Sequence, residues 1–433
     1  MSNLPLIQFN PKLPKLSKNE RKVLDLLVEA GKLIAPIYLE QEKQTGQVTR
    51  EQMDKAAKKD PEILSPYTVV EKVNGKLTAI PYHVKYAKRL KPMAEKLEEA
   101  AKISDNKQFT NALKVQAKAL LDGSYEKATA TWLSMKPYIL DISIGPIEYH
   151  SVKPAFTKVA YGAWVGVLDA EGTERLKNYK RIVLSAQRKT LVAGERIDNL
   201  DNVKAKTIDE VLISGIMAIT KFVGVNLPTN VDLVEKYGSE ITIFNQTNDL
   251  RMQEQILPTF NKIFPKEFKE EFSLEDLRRA SLRIVAMHEL AHSFLYYRNA
   301  KGNLQDLYQA IFELAATVLG LRMAGALLLQ DRITSKQLES MLVVYICRNF
   351  YLMEKSRANK PMFNYVLNGA IFINFMMESG ALKELKGMEV PNFMKIFVSL
   401  HELLYILEHL LSSGTRKDAE VFIKKYAKSN ETS

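Results

Sequence analysis

Between Ser273 and Leu329 the chain is committed to two successive helices, and five residues near the end of the first say what the pair brings together. Leu282, Val285, Ala286 and Leu290 recur with the helical period. Ser273 is an N-cap residue, with Asp276 three positions on as its capping-box partner. Gly302 is expected to stop this helix, and residues 304–329 then repeat the apolar period. Two helices joined by a short turn pack antiparallel. Near the end of the first stands His288-Glu289-Leu290-Ala291-His292. Residues four apart share one helix face, so both imidazoles can reach one metal ion, with Glu289 near a water on that ion. The chain has only 6 histidines, so this spacing rarely arises by chance. Two ordinary surface or core histidines would explain the spacing, but not the carboxylate that the next helix supplies.

That carboxylate is Glu313, in an otherwise apolar run of Ala310, Ile311, Leu314 and Ala315. A charge there is costly unless it is paired or binds a metal. The alternative is a glutamate on the solvent side of an amphipathic helix. His288, His292 and Glu313 together make a two-His-plus-Glu set suited to one Zn2+ per chain, with a fourth position open to water or substrate.

At 433 residues the chain can bury a large core, in one large domain or two intimately packed ones. Its single cysteine, Cys347, rules out an internal disulfide and fits a reducing, cytoplasmic setting. The first residues show no basic segment followed by an apolar run, so no signal peptide is expected. No membrane span is expected either, since the most apolar run, residues 324–329, is cut by Gln330 and Asp331. The net charge is +11, but lysines and glutamates are interspersed and no arginine–aromatic array suggests nucleic acid. Oligomeric state is not legible.

Three textures follow one another. Residues 1–135 read as an N-terminal helical region with loops at Gly46, Gly75 and Gly123. Residues 136–265 read as a mixed α/β region forming part of a cleft. Its expected strands are Ile139-Leu140-Asp141-Ile142-Ser143-Ile144, residues 163–168, Arg181-Ile182-Val183-Leu184 and Ile241-Thr242-Ile243-Phe244, with a helix over 208–223. Residues 266–433 read as helical and metal-binding. The expected fold class is α+β, predominantly helical, with two lobes around a cleft: a helical zinc-binding lobe and a smaller mixed-sheet region.

Several blocks occur in a familiar order: Gly145-Pro146-Ile147-Glu148, residues 161–167, Asn226-Leu227-Pro228, the histidine motif, and residues 304–321. In this order and content the chain resembles the dipeptidyl peptidase III family of zinc peptidases, above all its shorter bacterial relatives and the related segment fused to some Nudix hydrolases. The run from Leu307 to Leu321 looks like that family's Leu-Tyr-Ser-Ala-Ile-Glu-Glu-Ala-Lys-Ala-Asp-Val-Leu-Gly-Leu block, whose second glutamate binds zinc and falls on Glu313. The likeness extends over about residues 20–380, and these blocks are its distinctive part. This chain has the shorter spacing between its zinc histidines, as some relatives do.

The departures are specific. Phe312 stands where the family has the first glutamate of the pair, and Thr317 where it has a later acidic residue. Ser293-Phe294-Leu295-Tyr296-Tyr297 replaces a glycine-rich turn, and Thr229 replaces the second asparagine of a substrate-contacting Asn-x-Pro-Asn motif. The family tyrosine that contacts the reacting carbonyl falls on His150, with Tyr149 beside it. The resemblance implies peptide hydrolysis with Glu289 as general base, His150 or Tyr149 as donor to the developing oxyanion, and Glu148 and Asn226 in substrate binding. Otherwise Tyr149 and His150 are strand residues facing solvent or core, and Asn226 is a turn residue before Pro228. His83 is isolated, and His401-Glu402-Leu403-Leu404-Tyr405 lacks the second histidine, so it and His409 read as helix surface or packing. The expected activity is a zinc metallopeptidase acting on short peptides. The alternatives are a catalytically weak zinc protein that binds peptides or a partner, and a zinc hydrolase of a non-peptide amide.

Overall fold

The apolar strands of the middle third pair into one mixed sheet, and helices from the two ends of the chain cover its faces. The computed structural model describes residues 4–44, 48–149, 158–187, 200–358 and 363–427. Strand β1 (Leu6–Gln8) is followed by a hairpin of β2 (Thr68–Val73) and β3 (Lys76–Pro81). Next come β4 (Leu140–Tyr149), β5 (Val159–Leu168), β6 (Val203–Gly215), β7 (Gly224–Leu227) and β8 (Ser239–Phe244). A second hairpin joins β9 (Leu382–Leu385) and β10 (Met388–Pro391). The main sheet runs in the order β4-β5-β6-β8-β7, with β1 also paired to β6. Its pairings are antiparallel except β6 with β8. Buried from Val159 to Val167, β5 has the continuous apolar texture of a strand covered on both faces.

Two apolar cores flank this sheet. In one, Leu27, Leu97 and Phe109 of the N-terminal helices pack with Trp164, Val165 and Leu212 of the strands. In the other, helices Leu274–His292, Tyr308–Leu328, Ser335–Ala358 and Phe393–Ser413 pack together, and Val203, Ala205, Ile241 and Ile243 of the sheet join them. The cores make two lobes, and the fold is α+β with helix predominant.

Several sequence expectations need correction. Arg181-Ile182-Val183-Leu184 is not a strand; it lies in helix Ala170–Gln187, which buries Leu176, Ile182 and Val183 on one side. Burial of a helical face has overridden the β-branched composition. Residues 208–223 are not one helix. Strand β6 runs to Gly215, and only Ile216–Thr220 is helical, because the sheet claims the apolar residues before it. The hairpins β2–β3 and β9–β10 lie in regions read as helical. The motif helix ends before Gly302, as expected, but already at His292; Gly302 is not its breaker and sits inside a short helix, Ala300–Leu304. Two stretches, Ala300–Leu328 and Phe393–Ser413, are long and apolar enough to cross a membrane by length and composition alone, where none was expected. Their apolar windows are 67% and 50% buried within the fold, as helices that cross a protein core require.

Candidate metal centre

The motif helix starts where its cap predicts. The Ser273 side chain accepts from the Asp276 N–H, and the helix spans Leu274–His292. The second helix, Tyr308–Leu328, lies against it with backbones nearly touching at Gly320. A Cβ there would stand 2.8 Å from the Met287 carbonyl carbon and 2.9 Å from the His288 nitrogen. Strand β7 comes equally close on the other side, since a Cβ on Gly224 would lie 2.5 Å from Val285 Cγ1 and 3.3 Å from Glu289 Cγ. Two glycines thus let a helix and a strand close on the turn that carries the motif.

There the structure brings His288, His292 and Glu313 together. Glu313 Oε2 lies 3.2 Å from His288 Nε2 and 3.8 Å from His292 Nε2. The two Nε2 atoms are 3.0 Å apart. Ligand atoms around a tetrahedral zinc with bonds of about 2.0–2.1 Å lie roughly 3.3–3.4 Å from one another. One ligand atom from each residue falls within 4.8 Å of the others. Two imidazole nitrogens and a carboxylate oxygen converging on one point need a cation or a proton between them, so the donor set fits a divalent metal.

The surroundings hold two of these groups firmly. Gln309 Nε2 donates to Glu313 Oε1 at 2.8 Å, leaving Oε2 toward the histidines. His288 Nδ1 lies 2.9 Å from Thr317 Oγ1, whose hydroxyl donates to the Glu313 carbonyl at 3.2 Å. With a metal on Nε2, His288 would carry its proton on Nδ1, where this hydroxyl can accept it. His292 Nδ1 is buried without a partner among the described residues.

Electrostatics follow burial and pairing. Burial pulls His292 down to about 3. Burial also opposes protonation of His288, yet the Glu313 hydrogen bond and the charges of Glu289 and Glu313 outweigh it, and its pKa is raised. Burial would raise Glu313, but His292 and His288 hold it below the usual carboxylate range. Glu289, beside this cluster, is pushed up to about 7, mainly by burial.

The other expected site residues divide. Asn226 is 7% exposed, and its amide Nδ2 donates to the Glu289 carbonyl at 3.1 Å, so it meets the motif directly. Glu148 and Tyr149 end β4, paired with Ala160 and Val159; their side chains, and all of His150, lie outside the described residues. The neighbouring Pro146 and Ile147 line a pocket of about 110 Å³ together with Leu227, Pro228, Thr229 and Asn230. The end of β4 and the turn after Asn226 therefore face one space. His401 and His409 are exposed on helix Phe393–Ser413, away from any ligand cluster among the described residues.

Sequence reasoning missed two cations and the role of one ring. Arg348 lies near enough for its charge to oppose protonation of His288, and Arg251 favours the ionised form of Glu289. Neither is near the motif in sequence, and no spacing signals them. Phe312, read only as a departure, stacks on His292.

Comparison with known proteins places the fold that carries this cluster. Dipeptidyl peptidase III from Caldithrix abyssi superposes with a TM-score of 0.81 over 96% of this chain and 91% of that one, at 19% identity. The enzyme of that name from Corallococcus sp. strain EGB gives 0.82 over 98% and 90%, also at 19% identity. The fold is that of dipeptidyl peptidase III. Among curated proteins, Nudix hydrolase 3 of Arabidopsis thaliana is 20% identical over 361 residues, which is 82% of this chain and 46% of that protein. This chain thus spans less than half the length of that relative. No family model matches it. At this level of identity the dipeptidyl peptidase III likeness is one of fold, and it agrees with the two-lobed architecture that the motif blocks imply.

Proposed function

We propose that the protein is a zinc-dependent peptidase of short peptides. The observation that carries this reading is the convergence of His288, His292 and Glu313, with Glu289 adjacent, within a dipeptidyl peptidase III fold. A divalent cation held by these three side chains would supply Lewis acidity toward a water and a peptide carbonyl. Glu289, adjacent to the two histidines on the same helix, takes the water's proton and returns it to the leaving nitrogen. The pocket beside the 227–230 turn is lined by Tyr67, Phe109, Tyr125 and Trp132 as well as Ile147 and Leu227, which suits an apolar peptide side chain.

The test is hydrolysis of a library of short peptides by the zinc-loaded protein, with and without chelator. Cleavage is expected to stop with chelator, and in Glu289→Gln, which keeps its zinc. A zinc-loaded protein that cleaves nothing in the library would point instead to a binding protein.

A further inference from the structure

The two imidazoles of the candidate centre are anchored unequally. Behind His288 stands the Thr317 hydroxyl, 2.9 Å from Nδ1. Behind His292 Nδ1 no hydrogen-bond partner is found among the described residues, although the atom is buried. What His292 has instead is a ring stack. Its centroid lies 4.6 Å from that of Phe312, with the planes 29° apart. Phe312 is itself stacked on Tyr308, at 5.2 Å and 21°, and tilted against Tyr296 at 5.4 Å.

A histidine that ligates a metal through Nε2 carries its proton on Nδ1. An acceptor for that proton orients the ring and strengthens the nitrogen as a donor. Stacking fixes the plane of a ring, but it does not polarise the N–H and leaves a buried donor unpaired. We propose that Phe312 is the positioning residue for His292, holding the ring by stacking in place of a hydrogen bond. The centre consequently binds its divalent cation more loosely than a centre with acceptors behind both imidazoles. This rests on the reading of His288, His292 and Glu313 as a metal centre. Phe312 touches neither the metal nor the substrate in this scheme, and it acts through His292.

The experiment uses the full chain and zinc ion, with zinc affinity read by competition against a chromogenic chelator. Phe312→Leu keeps an apolar side chain but removes the stack, and is expected to weaken zinc binding by about two- to tenfold, the worth of one ring pair. Phe312→Tyr keeps the stack and is expected to bind as the wild type does. In nitrogen-edited NMR of the zinc-loaded wild type, the His288 ring N–H should be shifted downfield by its hydrogen bond, while that of His292 is not. Equal zinc affinity in Phe312→Leu and wild type overturns the proposal, as does a His292 N–H as deshielded as that of His288. The NMR measurement decides the matter even if Phe312→Leu fails to fold. A wild-type protein that takes up no zinc fails differently, because it removes the metal reading itself.

Discussion

The side-chain amide of Asn226 donates to the main-chain carbonyl of Glu289 at 3.1 Å, tying edge strand β7 to the last turn of the motif helix. A continuing helix would give that carbonyl the N–H of Ser293, but this N–H turns to Leu290 and Ala291. Asn226 thus satisfies one of the carbonyls that a helix end leaves without a partner. It acts on the turn that holds both Glu289 and His292.

Asn226→Ala should therefore destabilise the metal-free protein by about 1–3 kcal/mol, the cost of leaving a buried polar group unpaired. Urea unfolding measures this. If Asn226 serves only to touch substrate, the substitution will change KM and leave the unfolding midpoint where it was.

Gly320→Ala tests the close approach of the two ligand helices. Its Cβ would meet backbone atoms of Met287 and His288 at 2.8–2.9 Å, and backbone cannot step aside as a side-chain tip can. Overpacking of this kind costs about 1–3 kcal/mol. The melting temperature should fall, and zinc affinity with it, because the helices carrying His288 and Glu313 are pushed apart. A melting temperature unchanged by the substitution would mean that the helices are free to separate.

The raised pKa of Glu289 has a pH signature in the metal-free protein. Its value is about 7 folded against 4.5 for the free side chain, so between these limits the folded state binds the more protons. Stability from this group is present below about pH 4.5 and is lost as pH rises toward 7. Glu289→Gln cannot titrate. Relative to the wild type, it should gain stability from pH 4.5 to pH 7, by up to about 3 kcal/mol. Urea unfolding in the presence of chelator, at both pH values, reads the difference; a constant difference means that Glu289 titrates normally.

How much of this was legible in the sequence depends on whether the signal was local. The Ser273 cap, the motif spacing and the apolar run around Glu313 are local, and the helices they define are found at Leu274–His292 and Tyr308–Leu328. The strand at Ile241–Phe244 is local too, since it is a short β-branched run bounded by polar residues. Strand β6 and the helix around Ile182 were misread because their apolar spacing suits either structure, and only the partner surface decides. Asn226 was found through its block, but its bond to Glu289 joins residues 63 positions apart and leaves no mark in either segment. Arg348, Arg251 and the Phe312 stack belong to the same class: each is a product of packing.

Gln309 offers a test of the third ligand that leaves the ligand itself in place. Its amide donates to Glu313 Oε1 at 2.8 Å, and Glu313 Oε2 is the oxygen 3.2 Å from His288 Nε2. Without that donor the carboxylate can rotate, and rotation carries Oε2 off the point where the imidazoles converge. Gln309→Leu is expected to weaken zinc binding by about tenfold, as loss of an outer partner generally does. Zinc that binds the folded state alone raises stability with its concentration, by about 2.7 kcal/mol at one hundred times the dissociation constant. Thermal melts over a zinc series should therefore rise for the wild type, rise only at higher zinc for Gln309→Leu, and stay flat for His292→Ala. If His292→Ala is stabilised as the wild type is, zinc binds somewhere other than this cluster. If Gln309→Leu matches the wild type while His292→Ala stays flat, the metal is there but Glu313 needs no help to hold it.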